Sequence, residues 1–307
     1  MKIRKLLFIY NPRSGRGTIQ GMIPEILKCF DNAGYMTTIY KTRSPYDGEI
    51  VAAQEGEAYE LVVCAGGDGT LNNIISGVMK IPEDKRPRVG FIPAGSTNDT
   101  RSSYSLPASI PHAAKIAVTG HPFRTDIGLA NDRYFTYVAS FGELSAVSCF
   151  TSQVAKNLFG RSAYITEGIK ALLKMESHHI KVTWEEGTVA GEFFLGMITN
   201  ALSVGGFQNI TGGGVDLADG LFEVMLLKKP ADLLEFNKEV EAVLLASLGR
   251  EATGDGLVYK FKTSRAVFGS ADDLQWVVDG ENAGRHKITT ITNLPGAVEI
   301  MSGRAIS

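Results

Sequence analysis

The sequence predicts an α/β domain built on a parallel sheet, followed by a second domain that forms an antiparallel β-sandwich. Three observations predict it. Up to about residue 120, short apolar runs alternate with segments of helical periodicity, the pattern of strands joined by crossover helices. Three of these strands end in loops rich in glycine and small polar residues. Beyond residue 120 most segments alternate apolar and polar residues in the two-residue period of half-buried strands. A chain of 307 residues exceeds one ordinary core, so two domains are expected, residues 1–125 and 126–307, with a return of the C-terminal segment to the first domain left open.

The first strand, residues 6–10, runs into Asn11-Pro12-Arg13-Ser14-Gly15-Arg16-Gly17, a small and basic turn. Neither GxxxxGK[ST] nor GxGxxG is present there. A helix follows, with Ile19, Met22, Ile23, Ile26 and Leu27 on one face. Residues 37–40 alternate as a short strand ending at Lys41-Thr42, and residues 48–56 read as a weak helix. The central strand, 61–65, leads into Gly66-Gly67-Asp68-Gly69-Thr70 and then a helix carrying Leu71, Ile74, Ile75 and Val78. Strand 88–93 ends in Ala94-Gly95-Ser96-Thr97-Asn98-Asp99, and a helix spans 109–118. An interdomain linker is expected near residues 120–128. The second domain is expected to contain strands at 134–139, 180–184, 193–198, 221–227, 258–263, 266–269, 276–279 and 297–301, with helices at 158–174 and 231–248.

The loop after the central strand has a chemistry of its own. Three glycines allow backbone N–H groups to approach anionic oxygens, and the loop ends at a helix N-terminus whose dipole favours anions. A carboxylate fixed in such a cradle, Asp68, repels bare phosphate and so points to an intervening cation, Mg²⁺ with retained waters. The competing reading is a plain strand-to-helix turn capped by Asp or Thr. In open parallel sheets ligands sit at the carboxyl ends of strands, and all three polar loops fall there.

Composition narrows the class. The chain is 44% hydrophobic and 21% charged with a net charge of −2, which excludes a globally basic nucleic-acid binder. Cys29, Cys64 and Cys149 form no CxxC pair and read as core thiols of a reducing compartment. The N-terminal apolar run is short and ends in Asn-Pro, a first strand rather than a signal peptide, and no run reaches the roughly 20 residues of a membrane span. A cytoplasmic location is expected. His178-His179 has no third ligand at suitable spacing, and none of the histidines is assigned to a metal.

Taken together, the short motifs resemble those of bacterial diacylglycerol kinase-type lipid kinases, the soluble group that includes the YegS-like proteins. Asn11 to Gly15 matches an NPxSG opening, Gly66 to Thr70 a GGDGT loop, and Gly95 to Asp99 a GTxND segment. Asp126-Ile127-Gly128, Asp219-Gly220-Leu221 and Asp279-Gly280-Glu281 match the later DlG, DG(L/Y) and DGE segments. The resemblance implies a first domain of the NAD kinase and phosphofructokinase kind that binds ATP and Mg²⁺. ATP would lie among Asn11, Pro12, Arg13, Ser14, Gly15, Thr42, Gly66, Gly67, Asp68, Gly69, Thr70, Leu71, Asn72, Asn73 and Ser96. Asp68 would hold the catalytic Mg²⁺, with Asp99 and Asp126 completing an interdomain acidic network, and Glu281 would be the general base. The Asp219 carboxylate and the carbonyls of Asp216 and Leu221 would bind a structural Mg²⁺, while Arg16 and Lys156 would meet phosphate or anionic head groups. Taken alone, Asp279-Gly280-Glu281 reads as a hairpin turn with exposed acids.

The chain departs from the resemblance at Thr100-Arg101-Ser102-Ser103, where an aromatic, a small residue and an arginine are usual. That segment bears on the acceptor. The expected activity is transfer of the ATP γ-phosphate to a lipid hydroxyl at a membrane surface, with transient peripheral contact and Phe159-Gly160-Arg161 beside Lys156 as a candidate docking segment. NAD kinase, a sphingoid-base kinase and a non-turning-over nucleotide or lipid sensor are the competing readings. A homodimer paired through an edge strand near residues 258–261 is the default assembly.

Overall fold

The computed structural model describes residues 3–142, 176–204, 207–208, 215–229 and 258–305. The helices expected at 158–174 and 231–248, with Lys156, Phe159, Gly160, Arg161 and Cys149, lie outside the described residues.

Strand β1 (Arg4–Tyr10) sits inside a parallel sheet, flanked by β2 (Tyr35–Lys41) on one side and β3 (Leu61–Gly66) on the other, with β4 (Arg88–Pro93) beyond β3. The two-residue period of β1 divides its apolar run between two layers. Leu6 and Phe8 pack against helices α1 (Thr18–Asn32) and, further on, α5 (Ile110–Thr119), while Leu7 and Ile9 join the cluster formed by α2 (Asp47–Glu55) and α3 (Asp68–Met79). Covering a parallel sheet on both faces is what makes its strands continuous apolar runs. A short helix, α4 (Thr100–Ser103), follows β4.

Residues expected to be a linker are instead strand β5 (His121–Ala130). Phe123, Thr125 and Ile127 point inward in strand alternation, and the glycine and proline content of the segment concealed that pattern. Strand β5 returns through the short β6 (Arg133–Phe135) and pairs along most of its length with the last strand. Then come β7 (Val138–Gly142), β8 (His178–Trp184), β9 (Gly187–Thr199), the small hairpin β10 (Ser203–Val204) and β11 (Phe207–Gln208), β12 (Phe222–Lys228), β13 (Val258–Thr263), β14 (Arg265–Val278) and β15 (Glu281–Ser302). The segment expected as one strand at 134–139 is thus two, and those expected at 266–269 and 276–279 are one.

These strands are antiparallel to one another, but they do not form a separate two-sheet sandwich. Strand β15 pairs with β14 and β5, and its C-terminal end pairs in parallel with β4 through Ile300 and Val89, so one 13-stranded sheet runs through the described residues. Strands β9 and β14 are long enough to turn a corner: each pairs with β8 at one part of its length and with β7 at another. The register of β14 against β15 shifts between Gly269 and Leu274, which marks the bend. The ring β9–β7–β14–β8 encloses Phe141, Phe193, Phe268 and Trp276.

Candidate active site

Three loops meet at the carboxyl end of the parallel sheet. After β1, Asn11 donates its amide to the Ala65 carbonyl (2.9 Å) and accepts from the Arg13 amide at Oδ1 (2.9 Å), which curls the chain into the small turn at Gly15. Gly15 has φ +57°, and a Cβ there would stand 2.5 Å from the Ala94 carbonyl oxygen, so only glycine lets this loop close on the one after β4. A Cβ on Gly95 would stand 2.5 Å from Gly67 Cα, which brings the loop after β3 into the same contact. Asn98, at φ 53°, braces Gly95 by accepting from its amide and donating to its carbonyl, both at 2.8 Å.

The loops border a cleft of about 630 Å³. Of the residues expected at a nucleotide, Asn11, Pro12, Arg13, Ser14, Gly15, Thr42, Gly67, Gly69, Thr70, Asn73 and Ser96 line it, and so does Glu281. Helix α3 begins beside it with no side-chain cap, leaving the positive end of its dipole to a ligand. Arg43, absent from the expected set, lines the cleft as Arg13 does. The adjacent Thr42 was the signal that could have found it.

Glu281 arrives from the far end of the chain. Residues Val278 and Glu281 pair across a two-residue turn, Asp279-Gly280, with φ 47° and 84°, the type I′ geometry that an Asp-Gly sequence favours. The turn carries Glu281 Oε1 to 3.6 Å from the position of a Cβ on Gly69. The hairpin reading of these residues therefore holds for the backbone, but only Glu281 is exposed. Asp279 is 4% exposed, and its carboxylate accepts from the amides of Thr136 (2.6 Å), Tyr137 and Val138 (both 3.0 Å), the Thr136 hydroxyl (2.7 Å) and the Asn72 amide (2.7 Å). Burial pushes its carboxyl above the ordinary range, opposed by these donors.

A second cavity of about 320 Å³ adjoins the same loops, bordered by Gly67, Gly69 and Ser96 in common with the first and by Asp68, Asp99, Tyr137, Ser140, Val204 and Val277. Asp68 Oδ1 accepts from the amide (3.1 Å) and hydroxyl (2.6 Å) of Thr100, and Oδ2 from the Asp99 amide (3.0 Å). Asp99 in turn accepts from the Ser203 hydroxyl at 2.8 Å. Burial pushes the Tyr137 phenol up, and the charges of Asp279, Asp68 and Asp99 push it further.

Comparison with known proteins decides the family. The chain is 32% identical over 283 residues to a diacylglycerol kinase of Staphylococcus carnosus, covering 92% of this chain and 90% of the relative. It is 34% identical over 283 residues to that of Staphylococcus saprophyticus, with the same coverage of 92% and 90%. This chain belongs to the diacylglycerol kinase family. A sequence profile described as the diacylglycerol kinase catalytic domain matches residues 5–130. The fold is shared with a crystal structure of a diacylglycerol kinase from Bacillus anthracis, at TM-score 0.74 and 20% identity with 100% of each chain covered. Membership in a family of lipid kinases sets the NAD kinase reading aside.

Within this family site, several expected residues stand behind the cleft. Leu71 is core, a Cβ on Gly66 would clash with the Thr70 side chain, and the Asn72 amide crosses to Asp279 and the Tyr134 carbonyl (3.0 Å). Asp126 is fully buried, and its carboxylate is directed to the Gly220 amide (2.7 Å), the Gly296 amide (2.8 Å) and Asn293 (3.2 Å) rather than to Asp68 or Asp99. Arg16 belongs to the turn Ser14–Gly17, and its side chain lies outside the description.

The donor sets can be tested against the two expected cations. Asp68 and Asp99 border the second cavity beside the shared loop, and Asp68 Oδ2, with a single donor, keeps acceptor capacity, a set that fits Mg²⁺ held by carboxylates, waters and phosphate. At the expected structural site the one side-chain ligand, Asp219, is already engaged. Asp219 Oδ1 accepts from the Leu221 amide (2.9 Å) and Oδ2 from the Lys262 ammonium (3.2 Å), while Asp216 Oδ1 is taken by the Ala218 amide (3.0 Å). Lys262 also forms an ion pair with Glu223 Oε1 at 3.0 Å, so a side-chain cation already stands there. Among the described residues no cluster of three or more His, Cys, Asp or Glu side chains could hold a metal, and no helix is long and apolar enough to cross a membrane.

Proposed function

We propose that the chain is an ATP- and Mg²⁺-dependent lipid kinase that phosphorylates the free hydroxyl of diacylglycerol or a related lipid, with Glu281 as general base. The observation that carries this is the pair of cavities meeting at Gly67, Gly69 and Ser96, one flanked by two arginines and the other walled by valines and carboxylates. A transferring phosphoryl group needs a donor and an acceptor on opposite sides of one point, and the shared loop supplies that point. Residues 1–125 take the nucleotide and residues 126–307 the lipid, with β15 carrying Glu281 into the junction. Loop amides and Arg13 and Arg43 hold the phosphates and offset their charge. Mg²⁺, when bound by Asp68 and Asp99, adds further neutralisation of phosphate charge. As the acceptor oxygen bonds to the γ-phosphorus, the bond from that phosphorus to the β-bridging oxygen breaks, ADP departs, and the hydroxyl proton passes to Glu281.

Glu281→Ala tests the assignment. Loss of a general base lowers transfer about 10²–10⁴-fold, and the exposed position leaves folding and the thermal shift by Mg-ATP unchanged. Undiminished transfer would overturn the assignment; Mg-ATP binding without transfer in the unaltered protein would favour the sensor. The reading places the enzyme in the cytoplasm with transient contact at membrane surfaces. Homodimerisation through β13 remains part of it, although Lys260 and Lys262 on that strand are of the kind that blunt edge pairing.

A further inference from the structure

We propose that Tyr137 and Ser140 are the polar anchors of the second cavity and select an uncharged glycerol-ester head group there, an inference that rests on the lipid kinase reading above. Both residues are deeply buried, at 8% and 1% exposure, yet both border the cavity. Neither hydroxyl has a hydrogen-bond partner among the described residues. A hydroxyl that opens on a cavity with no protein partner keeps its donor and acceptor for whatever occupies that cavity.

Their positions are rigid. Ser140 pairs with Met197 on one side of β7 and Val277 on the other, while the amides of Tyr137 and Val138 are both bonded to Asp279 Oδ1. That carboxylate also anchors the turn bearing Glu281. The two hydroxyls and the proposed base are therefore held by one buried group, the arrangement needed to present an acceptor hydroxyl in a fixed direction.

The chemistry of the cavity names the head group. Among the described residues its border carries Asp68, Asp99 and Asp279 and no Lys, Arg or His, so no side-chain cation stands there to receive a phosphate-bearing head group. Asp279 is taken up by the residues around Tyr137, and Asp68 and Asp99, beyond their bonds to Thr100 and Ser203, are the pair assigned to Mg²⁺, which leaves the two hydroxyls for the head group. A phenol held protonated by burial donates, and a serine hydroxyl donates or accepts. Ester carbonyls and a free hydroxyl satisfy both, beside the apolar wall of Val204 and Val277.

The test is steady-state transfer from labelled ATP in mixed micelles, with the unaltered protein, Tyr137→Phe, Ser140→Ala and the double variant. Diacylglycerol, phosphatidylglycerol and sphingosine serve as separate acceptors. The expected result is a rise of about tenfold in the diacylglycerol KM for each single variant, a larger rise in the double, an unchanged KM for ATP and an unchanged thermal midpoint. Phosphatidylglycerol, for want of a side-chain cation at the border, and sphingosine, for want of ester carbonyls to meet the two hydroxyls, are expected to be poor acceptors for the unaltered protein. Diacylglycerol transfer with the same lipid KM in all four proteins overturns the anchors while leaving the kinase reading intact, as does a preference for either charged lipid. Absence of transfer to any lipid overturns both.

Discussion

The two cavities differ in how their residues are recruited. The larger cleft is built from loops that each follow a strand of one parallel sheet, and most of its residues come in short consecutive runs such as Asn11 to Gly15. The smaller one draws single residues from distant strands, held by carboxylates bonded to backbone amides: Asp279 to β7, Asp68 to α4, and Asp126 to the turns at Gly220 and Gly296 behind it. Acidic residues here do two kinds of work. Glu281 faces the cleft from an exposed position, whereas Asp279, two residues before it, is a structural clamp.

The comparison breaks most visibly at Asp279. Asp279→Asn replaces one acceptor oxygen by a donor facing donors in a buried network, and a stability loss of about 3 kcal/mol in denaturant unfolding is expected. Transfer activity should fall with it. If Asp279→Asn proves as stable as the unaltered protein, the clamp is not the organising group.

A smaller effect is expected at Thr100→Val, which removes the 2.6 Å hydroxyl bond to Asp68 and leaves the two amide bonds. Stability should fall by about 1 kcal/mol, and transfer by more than Glu281-independent folding changes account for, if Asp68 must be oriented. Equal activity would show that the amides alone suffice.

The smallest effect concerns the turn away from the site. Burial holds the Glu223 carboxyl above its ordinary value of 4.5, against the pull of Lys262. A carboxyl raised in the folded state binds protons more tightly there than in the unfolded chain. Its favourable contribution is therefore complete below pH 4.5 and is lost as pH rises through the folded-state value. Unfolding measured from pH 4 to 8 should show this slope, and Glu223→Gln should remove it. An unchanged slope in the variant would assign the pH dependence elsewhere.

The parallel half was legible because its determinants are local. Buried strands read as apolar runs, helices as 3.6-residue periods, and glycine loops as places where backbone must approach backbone, which Gly15 and Gly95 satisfy in contact with Ala94 and Gly67. Glu281, whose role as base is implied by the family resemblance, lines the cleft, and the Asp-Gly turn that directs it is a two-residue signal. Less visible were Arg43, whose neighbour alone was read, and Tyr137 and Ser140, which look like ordinary members of an alternating strand. Asn72 and Asp126 sit in segments of the right motifs, but Asn72 donates to the Tyr134 carbonyl and the Asp279 carboxylate, and Asp126 accepts from the Gly220 and Gly296 amides, instead of meeting ligand.

By itself, then, the sequence determined the parallel strands, the loops at their carboxyl ends and the family to which the chain belongs, since each depends on neighbours within a few residues. Tertiary structure alone decided that residues 121–130 pair as a strand, that β15 joins the two halves into one sheet, and which carboxylates clamp and which face a cavity. The physical reason is that a carboxylate's role is set by the donors around it. For Asp279 these come from Asn72 and from Thr136 to Val138, residues brought together only when β14 and β15 fold against the first domain.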